Sequence, residues 1–417
     1  MGSSKSINRS GILVWMLFIL MPLLSYILAL KSFKNKWAKN IVWGFAAYFG
    51  YAMQITNNFT GDASAYKERF LSYHAAHTSL KDLFDTFFVN SNHIEVVSDF
   101  ISVIVSKYTS DYHYLFLSYG IFFGYFFSRN IDYIHKKNDG LQRTGSLIIT
   151  IALSFVVPIW NINGFDFWTA SQVFVYGILP LIYEGSPKRL FFILLTPLIH
   201  FSYYLIILLS VSFLFVKKFS KSVVIFFLFS FLIVGISPNQ FVDIASNYLP
   251  SFIFSRASMY LNASSKASTG GNIIFVADLA YKLILSAVFY LCYQQNQEFI
   301  KGQKYLHRFF IYTFFLSGLF NILNVIPSVG RFISVTQIFM WMCLFFLLNN
   351  RDFRNSKQIS LYIGRIKFFL LIFWSLQIMR YLFPILGIGS ILSGPLWINN
   401  FVNDDVVIGN FFDFLSN

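Results

Sequence analysis

The sequence predicts an all-α protein that crosses a membrane about 11 or 12 times. Of its 417 residues, 56% are hydrophobic and 12% are charged, and the mean hydropathy is +0.60. Runs such as 11–30 and 222–236 are apolar almost throughout, and about 20 apolar residues in a helix span the hydrocarbon core of a bilayer. The composition does not change along the chain, so we expect one transmembrane domain over residues 1–417.

The net charge of +14 indicates an orientation in the bilayer and not a nucleic-acid partner. Lysines and arginines are concentrated in short connectors between apolar runs, at 31–39, 136–143, 188–189, 217–221, 301–308 and 351–367. This distribution is typical of cytoplasmic loops. It predicts that the longer loops 57–113 and 237–272 lie outside. The first of these loops carries seven acids and four bases, a net charge of −3 that suits the outer face.

The predicted spans follow from the apolar runs in order. They lie near 11–30, 41–56, 114–133, 145–160, 166–183, 222–236, 273–293, 309–326, 333–349 and 366–383. In the first outer loop, apolar residues at helical spacing over 93–108 predict an external amphipathic segment near 80–110 that lies on the membrane surface. The run 190–216 has bases at both ends, which favours a hairpin of two short or re-entrant helices that turns at Pro197. One long tilted helix is the alternative.

A few arginines at the predicted outer helix ends are candidates for binding an anion. Arg331 follows Pro327 and Gly330 and opens a span, and Arg256 lies in the loop 237–272. A guanidinium at the apolar boundary needs an anionic partner, and its planar fork suits phosphate. The alternative for each arginine is a side chain that reaches the lipid headgroups.

One histidine and several carboxylic acids are candidates for proton transfer. His200 lies at the expected break in 190–216, where it could act as a general base or donate a hydrogen bond. Asp62 in TGDASAY and Glu95 in SNHIEVV are also candidates, because a carboxylate at the membrane edge costs free energy unless it is paired or hydrated. Either carboxylate could deprotonate a hydroxyl. Asp166 lies in the polar turn NINGFDFWTASQ (161–172), either as part of a site or as a helix N-cap.

Four sequence blocks, in their order along the chain, resemble a known family. They are TGDASAY (60–66), NGFDFWTASQVFVYG (163–177), TPLIHFSYY (196–204) and PSVGRF (327–332), with HIEVV (93–97) as a further acidic element. Across roughly residues 40–335 the chain is similar to bacterial polysaccharide repeat-unit polymerases of the Wzy type, in their EpsG-like branch. The sequence has no nucleotide-binding or metal-binding motif, so we expect no cofactor and no metal.

The resemblance implies a glycosyltransferase of the bacterial cytoplasmic membrane with its active site on the outer face. Its substrates would be oligosaccharide repeat units linked to undecaprenyl pyrophosphate, the leaving group, and a chain-length regulator would be a further partner. Three other functions remain as alternatives. They are a flippase or other transporter of lipid-linked oligosaccharides, an O-antigen ligase and a membrane O-acyltransferase.

The resemblance also suggests a role for each candidate residue. Arg331 and Arg256 would hold the pyrophosphate, and His200, or otherwise Asp62 or Glu95, would activate the acceptor hydroxyl. The predicted substrate contacts are Asn163, Asp166, Trp168, Gln172, Tyr66 and Arg69. The family pattern has an arginine where this chain has Asp166, and often another near Gln54. We expect the folded helices to gather these side chains into one pocket that faces away from the cytosol.

Overall fold

A computed structural model describes residues 9–55, 61–85, 95–137, 145–232, 272–324, 329–350, 353 and 356–382. The structure is 86% helical, and its described residues contain no β-strand. Five described helical segments are long and apolar enough to cross a membrane: Ser146–Glu184, Val276–Gln295, Lys304–Leu323, Val329–Asn349 and Lys357–Leu382. The predicted fold class, an all-α polytopic membrane protein, is confirmed.

The described helices of the first half of the chain range in length from 6 residues to 26. In order they are α1 (Arg9–Leu20), α2 (Pro22–Lys31), α3 (Ala38–Ala52), α4 (Asp62–Ala75), α5 (Leu80–Asp85), α6 (Val97–Ser106), α7 (Tyr112–Lys137), α8 (Ser146–Val156), the 3-10 helix Ile159–Gly164 and α9 (Phe165–Glu184). Helix α6 confirms the helix predicted within 93–108. The polar stretch 161–172 begins in the 3-10 helix and continues into the first two turns of α9.

The second half continues with helices of similar character. They are α10 (Leu190–Ile199), α11 (Tyr203–Val216), α12 (Ser220–Ser230), α13 (Asn272–Gln295), α14 (Gln297–Gly302), α15 (Lys304–Leu323), the 3-10 helix Val329–Arg331, α16 (Phe332–Asn349), α17 (Ser356–Gln377) and the π-helical turn Ile378–Leu382. Cys292 in α13 and Cys343 in α16 are buried free thiols.

The span predicted near 11–30 is not one helix but two, α1 and α2. Met21 adopts φ −140° and ψ 76°, outside the helical region, and Pro22 begins the next helix. Proline has no N–H to donate, and its ring clashes with the carbonyl four residues earlier. Met21 N–H still donates to Leu17 O at 2.7 Å, so the interruption is confined to a single residue.

The apolar run 190–216 forms two short helices, as predicted, and His200 lies in the break between them. The expected cause of the break is wrong, because Pro197 lies inside α10. The helix continues past it, and His200 N–H still donates to Thr196 O at 2.9 Å. The break therefore follows the proline by three residues. Whether the two helices form a re-entrant hairpin stays a prediction.

Contacts divide the chain into two compact units. The first comprises 1–176, 194–201 and 374–417, and the antiparallel pair of α3 and α7 is its centre. A Cβ atom on Gly50 would overlap the carbonyl oxygen of Phe116, and one on Gly120 would overlap that of Ala46. Glycine is required at both positions because backbone meets backbone there.

The second unit comprises 177–193 and 202–373, and α15 and α16 form its core. In the segment Val329–Asn349, which contains α16, 89% of the most apolar stretch of 18 residues is buried. In Lys357–Leu382, which contains most of α17, the buried share of such a stretch is 28%. A helix that is apolar on every side is expected at the centre of a bundle. Arg308 of α15 donates to the carbonyls of Ile182 at 2.6 Å and Leu181 at 2.9 Å, which satisfies the C-terminal end of α9.

Candidate functional site

Helix α4 presents a polar stripe into the first unit. Asp62, Tyr66, Arg69 and Tyr73 lie at positions i, i+4, i+7 and i+11, a spacing that places them on one helix face. Asp62 begins the helix and is exposed, Tyr66 is buried, and Arg69 is half-buried. Tyr73 is also half-buried. The stripe therefore combines one buried residue with partly exposed ones, and its side chains reach three other elements.

Tyr66 connects α4 to the start of α9. Its hydroxyl donates to Asp166 Oδ2 at 2.9 Å and accepts from the Asp166 backbone N–H at 3.3 Å. Asp166 lies in the first turn of α9, where backbone N–H groups have no partner within the helix. The residue is 8% exposed, and its carboxylate accepts a hydrogen bond from the phenol of Tyr66. The buried pair thus fixes the beginning of α9 against α4.

Arg69 connects the same stripe to α6. Its Nη1 atom lies 2.8 Å from Asp99 Oδ1, and its guanidinium lies over the Tyr66 ring, 5.5 Å from the centroid. The Asp99 side chain is 8% exposed, whereas that of Arg69 is 38% exposed. The ion pair therefore joins a buried acid to a base that is partly exposed on the protein surface. An anion or a sugar can approach the N–H groups of Arg69 from that surface.

Tyr119 of α7 packs against Tyr66 and bonds to α6. Its ring stacks on Phe165 with centroids 3.9 Å apart and meets the Tyr66 ring edge-on at 5.5 Å. Its hydroxyl lies 3.2 Å from Ser102 Oγ and donates to Ser98 O at 3.4 Å. Helix α6 therefore turns its serines inward, while Phe100 and Ile104 are exposed on its other side.

Glu95 holds the end of α10 beside α6. Its Oε1 atom accepts a hydrogen bond from Phe201 N–H at 3.0 Å, and Val96 N–H donates to Leu198 O at 3.0 Å. The same Oε1 atom lies 3.7 Å from His200 Nδ1, and the imidazole packs edge-on against Phe167 at 5.2 Å. The side chains of both residues remain partly accessible, at 19% for His200 and 30% for Glu95.

The electrostatics of α4 favour neutral phenols and a charged guanidinium. Burial, with the Asp166 carboxylate nearby, raises the pKa of Tyr66 well above its ordinary value. Burial and Asp99 raise the pKa of Tyr73 to about 12. Burial, the largest single influence, would lower the pKa of Arg69, but the Asp99 carboxylate, with smaller contributions from the neighbouring tyrosines and Asp166, raises it overall. Tyr66 is therefore a permanent donor, and Arg69 keeps its positive charge.

The remaining predicted site residues have different surroundings. Asp62 Oδ2 approaches Gly164 of the polar turn, where Asn163 and Trp168 are half-buried. Gln172 is 3% exposed, and both its backbone oxygen and its Oε1 accept from Asn130 Nδ2 at 2.9 Å. In this structure Gln172 therefore holds α9 to α7.

The structure does not test whether the two predicted pyrophosphate arginines join this cluster. Arg331 is exposed at the end of the 3-10 helix that precedes α16 and belongs to the second unit. Arg256 lies outside the described residues. In the first unit, the structure brings together Asp62, Tyr66, Arg69, Glu95, Asp166 and His200. The expectation of a single pocket that also contains the two arginines stays a prediction.

Three residues around Tyr66 and Arg69 were not predicted from the sequence: Asp99, Tyr119 and Ser98. Asp99 is the buried partner of Arg69, 30 positions away, and no local spacing links the two residues. The inward serines of α6 follow a regular spacing, at 98, 102 and 106, which could have marked one polar helix face. Within the described residues, no group of three or more acid, histidine or cysteine side chains could hold a metal ion.

The arrangement offers two kinds of chemistry. A carboxylate beside an imidazole orients the ring and stabilises its protonated form, which is how a histidine is prepared to accept a proton. A half-exposed guanidinium next to aromatic rings can contact a phosphate or a sugar. Both lie within the first unit, which also contains Asn163 and Trp168.

The model of the EpsG family matches residues 41–384, most of the chain. The chain belongs to the EpsG family. Membership in the EpsG family associates the chain with polysaccharide polymerisation in general and with glycosyltransferase-like activity. The match includes every described residue of the cluster around Tyr66 and His200. No curated protein and no solved structure matches the chain.

Proposed function

We propose that this EpsG-family protein extends a polysaccharide by glycosyl transfer from a lipid pyrophosphate at the outer face of the bacterial cytoplasmic membrane. The donor is a growing glycan on undecaprenyl pyrophosphate, and the acceptor is the non-reducing-end hydroxyl of a new lipid-linked repeat unit. The acceptor oxygen bonds to the anomeric carbon as the bond from that carbon to the pyrophosphate oxygen breaks. The hydroxyl proton passes to a base on the protein, and undecaprenyl pyrophosphate leaves.

The pairing of Glu95 with His200 is the observation that supports this proposal most strongly. Glu95 is anchored by Phe201 N–H, and its carboxylate lies 3.7 Å from His200 Nδ1. A proton on Nδ1 facing the carboxylate leaves the lone pair of Nε2 as the basic site. A general base so arranged typically contributes about 10²–10⁴ in rate. His200 is then the base for the acceptor hydroxyl, and Glu95 orients it.

The residues around the polar turn supply contacts for the sugar and phosphate groups. Asn163 and Trp168 are half-buried, so they can meet a saccharide directly, and an aromatic face suits the apolar side of a sugar ring. Arg69 offers its half-exposed guanidinium, and the buried Asp166 supports it through Tyr66. Arg331, with Arg256, contributes contacts to the pyrophosphate, where positive charge stabilises the leaving group.

The experiment compares single variants in a host strain that lacks the gene. His200→Ala and Glu95→Gln are expressed beside the unchanged protein and a matched control, Glu68→Gln, which changes an exposed acid on α4. We expect the unchanged protein and Glu68→Gln to restore long polymer, while His200→Ala leaves single lipid-linked units. Membrane abundance of each variant is measured by immunoblot. Long polymer made by His200→Ala at normal abundance would exclude His200 as the base.

Mass analysis of lipid-linked glycans in the same deletion strain separates the competing functions. Single repeat units that accumulate on the outer face support polymerisation. Units trapped on the inner face would indicate a flippase, and polymer that lacks acyl groups would indicate an acyltransferase. Finished polymer retained on undecaprenyl pyrophosphate would indicate a ligase. Each of these last three outcomes would reject the proposed reaction.

A further inference from the structure

A cavity with basic walls lies in the first unit, at the ends of α2, α3 and α7. It has a volume of about 390 Å³ and is lined by Phe33, Lys34, Asn35, Lys36, Asp132, His135 and Lys136. These helix ends are the ones that the charge pattern places on the cytoplasmic side. The cavity is thus at the opposite end of α3 and α7 from the cluster around Tyr66, and the proposed glycosyl transfer does not use it.

The charges around the cavity do not cancel. Asp132 is the only acid in its lining, and its Oδ2 atom already lies 2.6 Å from Lys136 Nζ and 3.5 Å from Lys39 Nζ. Lys34 and Lys36 are exposed, and within the described part of the chain neither pairs with a carboxylate. Two ammonium groups at the cavity rim are therefore available to an anion, and Asn35 between them adds amide donors.

Helix α2, which ends two residues before the first lining residue, Phe33, carries an exposed apolar stripe. Leu23, Leu24 and Ile27 are 40–41% exposed on one face of α2. Lys31 continues the same face one turn later, at the end of the helix. The spacing 23, 24, 27 and 31 keeps these side chains aligned. An apolar helix face that ends in lysines matches a molecule with a hydrocarbon chain and an anionic head.

We propose that this site binds one anionic glycerophospholipid, with its phosphate between Lys34 and Lys36 and an acyl chain along the α2 stripe. Basic pockets between helices on the cytoplasmic side are suited to anionic headgroups, and each lysine near such a surface contributes favourably. A zwitterionic lipid lacks the net negative charge that the two lysines favour. A free phosphate ion would use the lysines but would leave the apolar stripe unused.

The test is a binding titration of the full chain in detergent, followed by native mass spectrometry. The lipids are dioleoyl phosphatidylglycerol, dioleoyl phosphatidylcholine and dioctanoyl phosphatidylglycerol, with inorganic phosphate as a competitor. The site variant is Lys34→Glu with Lys36→Glu. The matched control is Lys217→Glu with Lys218→Glu, two exposed lysines in another basic connector. All four substitutions change exposed side chains, and the melting temperature of each variant confirms that it is folded.

We expect one dioleoyl phosphatidylglycerol to bind about tenfold more tightly than the phosphatidylcholine. The site variant should weaken that binding about tenfold, while the control changes it less than twofold. The dioctanoyl lipid should bind more weakly than the dioleoyl lipid, because it covers less of α2. Equal binding of the two headgroups, equal loss in both variants, equal affinity of both chain lengths or full displacement by inorganic phosphate would each overturn the proposal.

Discussion

Tyr66→Phe tests the contact that joins α4 to α9. The substitution removes one hydroxyl and leaves the ring, so its contact with Tyr119 is preserved. Two hydrogen bonds are lost, the one donated to Asp166 Oδ2 at 2.9 Å and the one accepted from Asp166 N–H at 3.3 Å. A typical hydrogen bond contributes about 0.5–1.5 kcal/mol, and an unpaired buried N–H costs about 1–3 kcal/mol more. We expect a loss of about 1.5–4.5 kcal/mol in the free energy of unfolding.

Thermal unfolding of the purified protein in detergent measures this loss. Tyr108→Phe is the matched control, because Tyr108 is 85% exposed, and a surface change of this kind should stay within about 0.5 kcal/mol. In a double-mutant cycle, Tyr66→Phe should cost much less when Asp166 is already alanine, with a coupling of about 0.5–3 kcal/mol. Unchanged stability of Tyr66→Phe, or purely additive losses, would refute the reasoning.

Three further predictions follow from other parts of the structure. Gly50→Ala should lower the melting temperature and reduce the free energy of unfolding by about 3 kcal/mol, since a Cβ there overlaps the Phe116 carbonyl. Its control is Gly364→Ala, in open space on α17, which should stabilise the helix by up to about 1 kcal/mol. In the unfolded chain a tyrosine has a pKa of about 10, whereas in the folded protein the pKa of Tyr73 is about 12. The free energy of unfolding should therefore fall as the pH rises between these values, and Tyr73→Phe should reduce the fall in denaturation measurements. Arg331→Ala should abolish long polymer on glycan gels and Arg331→Lys should keep part of it, because lysine retains the charge without the fork; full polymer from Arg331→Ala would exclude its role at the pyrophosphate.

The helices themselves could be predicted from sequence, because apolar length and helical spacing are local properties. For helix α6 the sequence predicts the helix but not which of its faces is buried. Its spacing indicates a helix, but Ser98, Asp99 and Ser102 are buried while Phe100 and Ile104 are exposed. A bilayer is as apolar as a protein interior, so apolar side chains on a membrane helix do not show which face turns inward.

The site could be predicted residue by residue but not pair by pair. Asp62, Glu95, Asp166 and His200 are unusual as polar groups near apolar spans, and this draws attention to each of them. Their partners are distant in sequence. Tyr66 bonds a residue 100 positions away, and Glu95 bonds one 106 positions away. Such pairs follow from how the helices pack, and one sequence contains no local signal for that packing.

The rate of polymerisation by purified His200→Ala protein tests the central claim most directly. The assay supplies lipid-linked repeat units and follows the release of undecaprenyl pyrophosphate together with product length. If His200 is the base, its loss should lower the rate by about 10²–10⁴, while the melting temperature and substrate binding stay close to those of the unchanged protein. A variant that turns over at the normal rate would contradict the proposed mechanism.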